Sequence, residues 1–351
     1  MKKHFTISVD AMGGDNAPAS VVEGISIAMS RYPELNFLLF GDNDVIAPLL
    51  TQCRVPSSRC EVIHTNEFVK SDDKPSAVVR HGKKTSMWMA IDAVKKGQAD
   101  AAVSAGNTGA LMIMAKFCLS TMKGIDRPAI CTALPTKTSQ VVMLDLGANA
   151  ECDANNLVQF ALMGSVYSKA LFGVQRPRVG LLNIGSEETK GRDEIKEAAA
   201  TLKGMQNAPF EFKGFAEGTD IFPGNFDVIS TDGFSGNVAL KSIEGTAKFL
   251  MSSLKANIKA SWLAKFGILF ALPALLKLKN RYNPNRYNGA MLMGLNGITV
   301  KSHGSATAKS FANAIGAAYD LARHDVISLI RNELETFKPL NPDNTDTAST
   351  S

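Results

Sequence analysis

Short loops rich in Gly, Ser, Thr and Asn follow apolar segments at several places in this chain, each just before a segment with helical periodicity. Four of them are SAGNTG (104–109), NIGSEETKG (183–191), TDGFSGN (231–237) and KSHGSA (301–306). The free N–H groups and the positive dipole end of a helix N-terminus attract anions. One such loop is usually no more than a helix cap. Four of them, with Lys241 after the third and Lys301 and His303 in the fourth, favour a phosphate or carboxylate ligand.

The first loop of the chain, VDAMGGDNAP at 9–18, combines acids with glycines. Glycine lets the backbone approach a ligand closely, and proline suits the first turn of a helix. Asn16 is the residue of this loop that we expect to touch substrate. The carboxylates of Asp10, Asp15 and Asp232 repel phosphate unless they are protonated or orient other donors. Two interpretations stay open: Asp232 acts as a base or orienting group while Asp10 and Asp15 support Lys and His, or all three are turn and cap residues.

The elements that must position these loops repeat one pattern: an apolar run, a polar break and a segment with helical periodicity. The pattern predicts an α/β fold with a Rossmann-like, mostly parallel sheet. Loops leave parallel strands at the carboxyl edge of the sheet, so we expect the loops above to meet in one crevice. We expect one α/β domain over residues 1–337, with a helical protrusion at about 250–285 and a disordered, polar tail at 338–351.

Composition excludes several classes of protein. The chain has 351 residues, 45% of them hydrophobic, and a net charge of +5, which is too small to argue for nucleic-acid binding. The five cysteines form no CxxC pair, and no export signal stands at MKKHF, so we expect a cytoplasmic protein without disulfides. No GxxxxGK[ST], HExxH or GxSxG string occurs, and no GxGxxG follows the first strand. We therefore expect no metal and no cofactor.

The segment at 255–282 mixes apolar residues with lysines. Its uncharged core, residues 266–276, is shorter than the roughly 20 residues that a membrane-spanning helix needs. Apolar residues flanked by lysines favour a helix that lies in the membrane interface. A helix pair buried in the core or in a dimer, and a basic rim for an acidic protein, stay open as alternatives. The predicted contact residues are Trp262, Phe266, Leu269 and Phe270.

Seven strings between residues 4 and 335 resemble the bacterial phosphate acyltransferase (PlsX) family in type, order and spacing: ISVDAMGGDNAP, SAGNTGALM, LDLGAN, LLNIGSEETKG, TDGFSGNVALK, EG and NGAMLMGLNGITVKSHGSA. The resemblance implies transfer of a fatty acyl group from acyl-carrier protein to inorganic phosphate, which yields acyl phosphate for membrane phospholipid synthesis. It also implies a homodimer, a fold similar to phosphotransacetylases and isocitrate-dehydrogenase-like proteins, and peripheral contact with the membrane and a membrane glycerol-3-phosphate acyltransferase.

The implied reaction needs no covalent nucleophile, because phosphate is itself an anionic nucleophile and a thiol is a good leaving group. We expect Asn183 and Asn237 to donate hydrogen bonds near the carbonyl, and His303 to protonate the departing sulfur. Asp10, Asn16 and Lys241 complete the predicted substrate site. The phosphate is expected among Ser104, Asn107, Thr108, Lys301, His303, Gly304 and Ser305.

Three other functions stay open. A phosphotransacylase could use coenzyme A instead of the carrier protein, and only the thioester that is consumed distinguishes the two. A nicotinamide-dependent dehydrogenase could share the fold, although the sequence offers no convincing set of ribose-binding or metal-binding carboxylates. A non-catalytic membrane scaffold would tolerate alanine in the strand-exit loops and fail when residues 262–276 were made polar.

Overall fold

The computed structural model describes residues 4–75, 78, 81–281 and 288–336. The strands in these ranges are β1 Phe5–Asp10, β2 Leu35–Gly41, β3 Cys60–His64, β4 Ala101–Ser104, β5 Ala129–Pro135, β6 Gln140–Leu144, β7 Arg178–Leu182, β8 Glu211–Ala216, β9 Val228–Ser230, β10 Ala290–Met293 and β11 Ile298–Lys301. The helices are α1 Ala19–Arg31, α2 Asn43–Gln52, α3 Ser86–Lys95, α4 Thr108–Leu119, α5 Ala154–Phe172, α6 Asp193–Gly204, α7 Gly233–Ala260, α8 Trp262–Arg281, α9 Ala308–Arg323 and α10 Val326–Thr336.

The strands form one sheet in the order β3-β2-β1-β4-β11-β10-β5-β6-β9-β7-β8. Its central strands are apolar on both faces because helices cover both. Ala101 and Val103 of β4 belong to the core cluster beneath α1, α5 and α9, whereas Ala102 belongs to the cluster beneath α3 and α4. Strands buried on both faces are typical of parallel α/β sheets. The predicted α/β fold with a mostly parallel sheet is confirmed.

The direction of the sheet reverses at its centre. Strands β3, β2, β1, β4 and β11 are mutually parallel, and β6, β9, β7 and β8 are mutually parallel. Three antiparallel pairings, β11 with β10, β10 with β5 and β5 with β6, separate these halves. The two halves therefore run in opposite directions, and their loops leave the sheet at opposite edges. The sheet therefore offers no single carboxyl edge for all of these loops, and the expected crevice has to be formed by other elements.

Helix α7 connects the two halves. It begins beyond β9, in the second half, where the Asp232 side chain accepts a hydrogen bond from the Ser235 N–H and caps the helix. Its next turns extend to the loop that leaves β11, in the first half, where Glu244 lies 3.4 Å from His303. One long helix therefore brings together strand-exit loops that the sheet alone would keep apart.

Helices α7 and α8 follow one another directly and contact each other in the region of the predicted protrusion. Phe249, Trp262 and Phe270 are 67%, 75% and 80% exposed on this pair. Within the described residues, no helix combines the length and the hydropathy that crossing a membrane requires. The side chains of Phe266 and Leu269, and the whole of the predicted tail, lie outside the described part of the chain. The single-domain organisation stays a prediction.

Candidate active site

The first group of site residues, which we call the Lys301 cluster, lies where β1, β4 and β11 end. Its centre is the buried carboxylate of Asp10, the last residue of β1. Asp10 accepts hydrogen bonds from the Ser86 hydroxyl at 2.6 Å and the Ser104 hydroxyl at 2.7 Å. Burial raises the pKa of Asp10, and these hydrogen bonds oppose the rise. Asp10 thus ties the ends of two strands and the start of α3 into one rigid floor.

Lys301 ends β11 above this floor. Its ammonium donates to the carbonyl of Ser302 and, at 3.4 Å, to that of Ala105. Burial lowers the pKa of Lys301 to about 8, although the carboxylates of Asp10 and Asp15 raise it. The ammonium has no carboxylate in direct contact among the residues that the structure describes. An anion that bound here would compensate the cost of burying the charge.

His303 and Glu244 join the Lys301 cluster to α7. The Nε2 atom of His303 lies 3.4 Å from Oε1 of Glu244, and the other oxygen of Glu244 lies 3.1 Å from the Lys241 ammonium. Burial lowers the pKa of His303, and the nearby ammonium groups of Lys241 and Lys301 lower it further, while Glu244 raises it. His303 is therefore mostly a neutral imidazole near pH 7, which can accept a proton.

The glycines of the first loop allow the backbone to close over this floor. A Cβ atom added at Gly13 would lie 2.3 Å from Oδ2 of Asp10, so only glycine fits there. The Asp15 N–H donates to the Gly304 carbonyl at 2.8 Å, which joins the loop after β1 to the loop after β11. Asn16 donates to the Ala306 carbonyl at 3.4 Å. This side chain holds the two loops together.

The loop after β4 lies beside this pair of loops. The Asn107 side chain accepts a hydrogen bond from the Ala110 N–H and caps α4, and its amide donates to the Ser71 carbonyl. Thr108, the first residue of α4, is exposed, as is Ser305 in the loop after β11. The Ser104 hydroxyl, in contrast, donates to Asp10.

The second group, which we call the Asp145 cluster, lies where β6, β7 and β9 end. Asp145 is fully buried and accepts five hydrogen bonds: from the N–H groups of Ile130, Gly147, Ala148 and Asn149 and from the Asn149 amide, over 2.7–3.2 Å. Burial raises the pKa of Asp145, and the backbone hydrogen bonds oppose the rise. A Cβ atom added at Gly236 would lie 1.9 Å from the Asp145 carbonyl oxygen, so α7 starts directly against this loop.

The polar residues predicted from the other two loops belong to this second cluster. Asp232 pairs with Arg192 and accepts from the N–H and the hydroxyl of Ser235. Asn183 donates to the carbonyls of Gly185 and Lys190, and its buried Oδ1 has no partner among the described residues. These contacts show Asp232 as a helix cap and ion-pair partner and Asn183 as a brace for the 183–191 loop.

Asn237 links the two clusters. It is exposed on α7, and a Cβ atom added at Gly147 would lie 3.4 Å from its Cγ. Lys241 follows one helical turn later and belongs to the Lys301 cluster. The side chains at these positions face the same way, because residues four apart share one face of a helix. The predicted site residues therefore form two neighbouring groups instead of one.

Sequence reasoning missed four residues that organise these clusters: Ser86, Asp145, Arg192 and Glu244. Two of them carried a signal. Asp145 stands in the LDLGAN string, and Glu244 follows Lys241 by three residues on a helix, a spacing that brings side chains together. Ser86 contacts Asp10 across 76 residues of sequence. Arg192 contacts Asp232 across 40 residues. Only the tertiary structure shows those pairings.

Comparison with known proteins places this chain in a family. Residues 5–329 match the family described as "Fatty acid synthesis protein". The phosphate acyltransferase of Paramagnetospirillum magneticum is 52% identical over 97% of this chain and 96% of its own length. The phosphate acyltransferase of Rhodospirillum centenum is 52% identical over 99% of this chain and 100% of its own length. This chain belongs to the phosphate acyltransferase (PlsX) family. The resemblance predicted from the seven strings is confirmed.

Solved structures support the fold of this phosphate acyltransferase family member. A phosphotransacetylase from Streptococcus pyogenes is similar with a TM-score of 0.62, at 18% identity, and covers 93% of this chain and 95% of its own. The EutD phosphotransacetylase from Staphylococcus aureus has a TM-score of 0.59 at 15% identity and covers 93% of this chain and 94% of its own. The predicted similarity to the phosphotransacetylase fold is therefore confirmed.

Proposed function

We propose that this protein transfers a fatty acyl group from acyl-carrier protein to inorganic phosphate. Membership in the family makes the chain an acyltransferase. The observation that carries the proposal is the Lys301 cluster, in which the buried ammonium of Lys301 and the imidazole of His303 lie together in glycine-rich loops. Loops of this kind beside a buried ammonium group suit a phosphate ion.

In the proposed reaction, an oxygen of hydrogen phosphate attacks the carbonyl carbon of the thioester. The new C–O bond forms first and gives a tetrahedral oxyanion. The C–S bond breaks as the oxyanion collapses to the carbonyl, and the electron pair leaves on sulfur. The phosphate loses its proton when it becomes part of the acyl phosphate, and the thiolate that leaves takes up a proton. Neutral His303 accepts that proton and passes it to the sulfur, so the proton count balances. Phosphate-binding roles fall to Lys301, Gly304, Ser305, Thr108 and Lys241. Ser104 and Asn107 shape the loop beside the phosphate, because their polar groups are already engaged with Asp10 and with the Ser71 carbonyl.

The thioester carbonyl is proposed to lie toward Asn237, between the two clusters. The exposed amide of Asn237 donates a hydrogen bond to the oxyanion that develops there, and a single such donor contributes about 3–4 kcal/mol in known cases. Asn183 and Asp232 support this side through the 183–191 loop and the start of α7. Asp10 and Asn16 hold the loops beneath the phosphate. Positioning of the two reactants supplies the rest of the rate enhancement.

The cysteines support direct attack by phosphate over an acyl-cysteine intermediate. Burial raises the pKa of Cys118 to about 11 and that of Cys60 and Cys152 to about 12. A thiol is nucleophilic as the thiolate, and thiols with such values are almost wholly protonated near pH 7. The described thiols are therefore poor nucleophiles.

We further propose that the tip of the α7 and α8 pair lies in the interface of the cytoplasmic membrane leaflet. Trp262 and Phe270 are among its most exposed apolar side chains. An amphipathic surface of this kind binds reversibly at the headgroup level. The contact would place the acyl phosphate beside a membrane glycerol-3-phosphate acyltransferase, its proposed consumer. The homodimer rests on the family resemblance, and the cytoplasmic location rests on the cysteine pattern and the N-terminal sequence; both stay predictions.

The test is release of free thiol from palmitoyl-carrier protein, with and without inorganic phosphate. The proposal predicts release that depends on phosphate and yields palmitoyl phosphate in equal amount. Palmitoyl-coenzyme A serves as the matched donor, because its pantetheine thioester is chemically the same. A much larger kcat/KM with coenzyme A would establish the alternative phosphotransacylase. Release that ignores phosphate, or none with either donor, would contradict acyl transfer to phosphate.

A further inference from the structure

Four lysines of α7 lie on one face of the helix. Lys241, Lys248, Lys255 and Lys259 follow one another at intervals of seven, seven and four residues. At 3.6 residues per turn, these intervals keep the four side chains within about 40° of one another around the helix axis. We call them the lysine row. It is about 27 Å long, because an α-helix rises 1.5 Å per residue.

The charges of the lysine row are almost uncompensated. Glu244 is the only acidic residue in the sequence of α7, and it pairs with Lys241 and faces His303. Lys248, Lys255 and Lys259 are exposed, and none forms an ion pair with a carboxylate in the described ranges. A row of like charges on one helix is destabilising by itself, so an oppositely charged partner would stabilise it.

The lysine row starts at the candidate active site. Lys241 lies at its base beside Glu244 and His303, and both Lys241 and Lys248 lower the pKa of His303, after the larger effect of burial. The row then extends along α7 away from the sheet. Whatever binds the row therefore ends beside the residues that we assign to acyl transfer.

The opposite side of α7 carries the apolar residues. Leu250 and Leu254 lie about half a turn from the lysine row around the helix axis. Ile243, on the same side, packs against the core cluster beneath α3 and α4. If the apolar side faced a lipid surface, the row would point away from it. This geometry favours a protein partner over anionic lipid.

We propose that the lysine row is the docking surface for an acidic helix of the protein that carries the acyl group. The inference rests on the proposed function, which supplies the protein-borne donor. A helix with Asp or Glu on one face at intervals of one or two turns matches lysines about 10 Å apart, the distance that seven residues span. Docking along the row would guide the thioester toward His303. Opposite charge would also speed the encounter of the two proteins.

The experiment measures binding of fluorescently labelled holo acyl-carrier protein to the full-length chain. The test variant is Lys255→Glu with Lys259→Glu, because these residues lie furthest from His303. The matched control is Lys95→Glu with Lys123→Glu, two exposed lysines at the edge of the sheet where β4 and β5 begin. Both variants change the net charge equally. Binding of each protein to phosphatidylglycerol vesicles is measured in parallel.

We expect at least a tenfold weaker Kd for the carrier protein in the test variant and less than a twofold change in the control. We also expect the affinity of the wild-type protein for the carrier protein to fall steeply as the salt concentration rises. The test variant should bind vesicles as the wild type does. Equal Kd values in both variants, no binding by wild type, or loss of vesicle binding alone would overturn the proposal. Binding that depends on the row without phosphate-dependent thiol release would contradict the proposed function and leave the docking surface standing.

Discussion

The Lys301 cluster and the Asp145 cluster differ in how their charges are satisfied. In the Asp145 cluster, Asp145 accepts five hydrogen bonds and Asp232 has Arg192 as its ion-pair partner. In the Lys301 cluster, the ammonium of Lys301 contacts carbonyl oxygens, and His303 is a half-exposed imidazole. Burial lowers the pKa of both of these groups.

This contrast distinguishes residues that hold the structure in place from residues that can bind a ligand. A charge with a full set of partners holds a loop in place and has little capacity left for a ligand. A positive charge that is buried without a counter-ion is stabilised when an anion binds beside it. Groups with shifted pKa values are therefore common at functional sites. We therefore assign phosphate binding to the Lys301 cluster and positioning to the Asp145 cluster. The predictions below test that division.

The largest effect is expected from Asp145→Ala, which leaves five donors near the core without an acceptor. We expect the free energy of unfolding to fall by at least about 3 kcal/mol, because each buried donor that loses its acceptor costs about 1–3 kcal/mol. Urea unfolding followed by circular dichroism measures it. The matched control is Asp15→Ala, at an exposed loop position, which should change stability by less than 1 kcal/mol. Equal stability in both variants would refute the architectural role of Asp145.

The second effect concerns chemistry. His303→Ala should lower kcat for phosphate-dependent thiol release about 100-fold, within the range for loss of a general acid–base group. Its urea midpoint should stay near that of wild type, because the side chain is half exposed. His324→Ala, a change of the same residue type on the surface, is the control. A loss in kcat of less than threefold would remove His303 from proton transfer.

The third effect is the dependence on alkaline pH. The pKa of Lys301 is about 8, so the ammonium loses its charge as the pH rises through that value. We expect kcat/KM for phosphate to fall above pH 8 in wild type. In Lys301→Arg the guanidinium stays charged, so the fall should move to higher pH. A fall at the same pH in both proteins would assign the ionisation to another group.

The smallest effect is expected from Glu244→Gln. The Glu244 carboxylate raises the pKa of His303, against the effect of burial, so the variant should carry a histidine with a lower pKa. Because neutral His303 is the proposed proton acceptor, activity should persist to a lower pH than in wild type. We expect the acidic limb of the kcat profile to move by less than one pH unit. A move toward higher pH, or none, would contradict the pairing of Glu244 with His303.

The fold and part of the site follow from sequence because their signals are local. The alternation of apolar runs and helical segments identifies parallel strands, and the strand-exit loops carry recognisable glycines and caps, as Asp232 does for α7. The reversal of the sheet has no such signal. Short runs such as β10, Ala290–Met293, are the same in sequence whether they pair in parallel or antiparallel fashion.

The division of the site also depends on distant contacts. Asp145 receives a hydrogen bond from the Ile130 N–H of a neighbouring strand, and Glu244 meets His303 across 59 residues of chain. The periodicity of apolar residues in the sequence does not predict such pairs. The charge state of Lys301 likewise depends on burial, which only the packed structure defines.

The most direct test of the account is a calorimetric titration of inorganic phosphate into wild type, Lys301→Met and Lys190→Met. Lys190 is the matched control because it lies in the 183–191 loop of the Asp145 cluster, where its ammonium pairs with Glu187 at 2.7 Å. The account predicts that Lys301→Met abolishes phosphate binding and that Lys190→Met leaves Kd within about threefold. Retained binding in Lys301→Met with loss in Lys190→Met would place the phosphate in the Asp145 cluster and contradict the account.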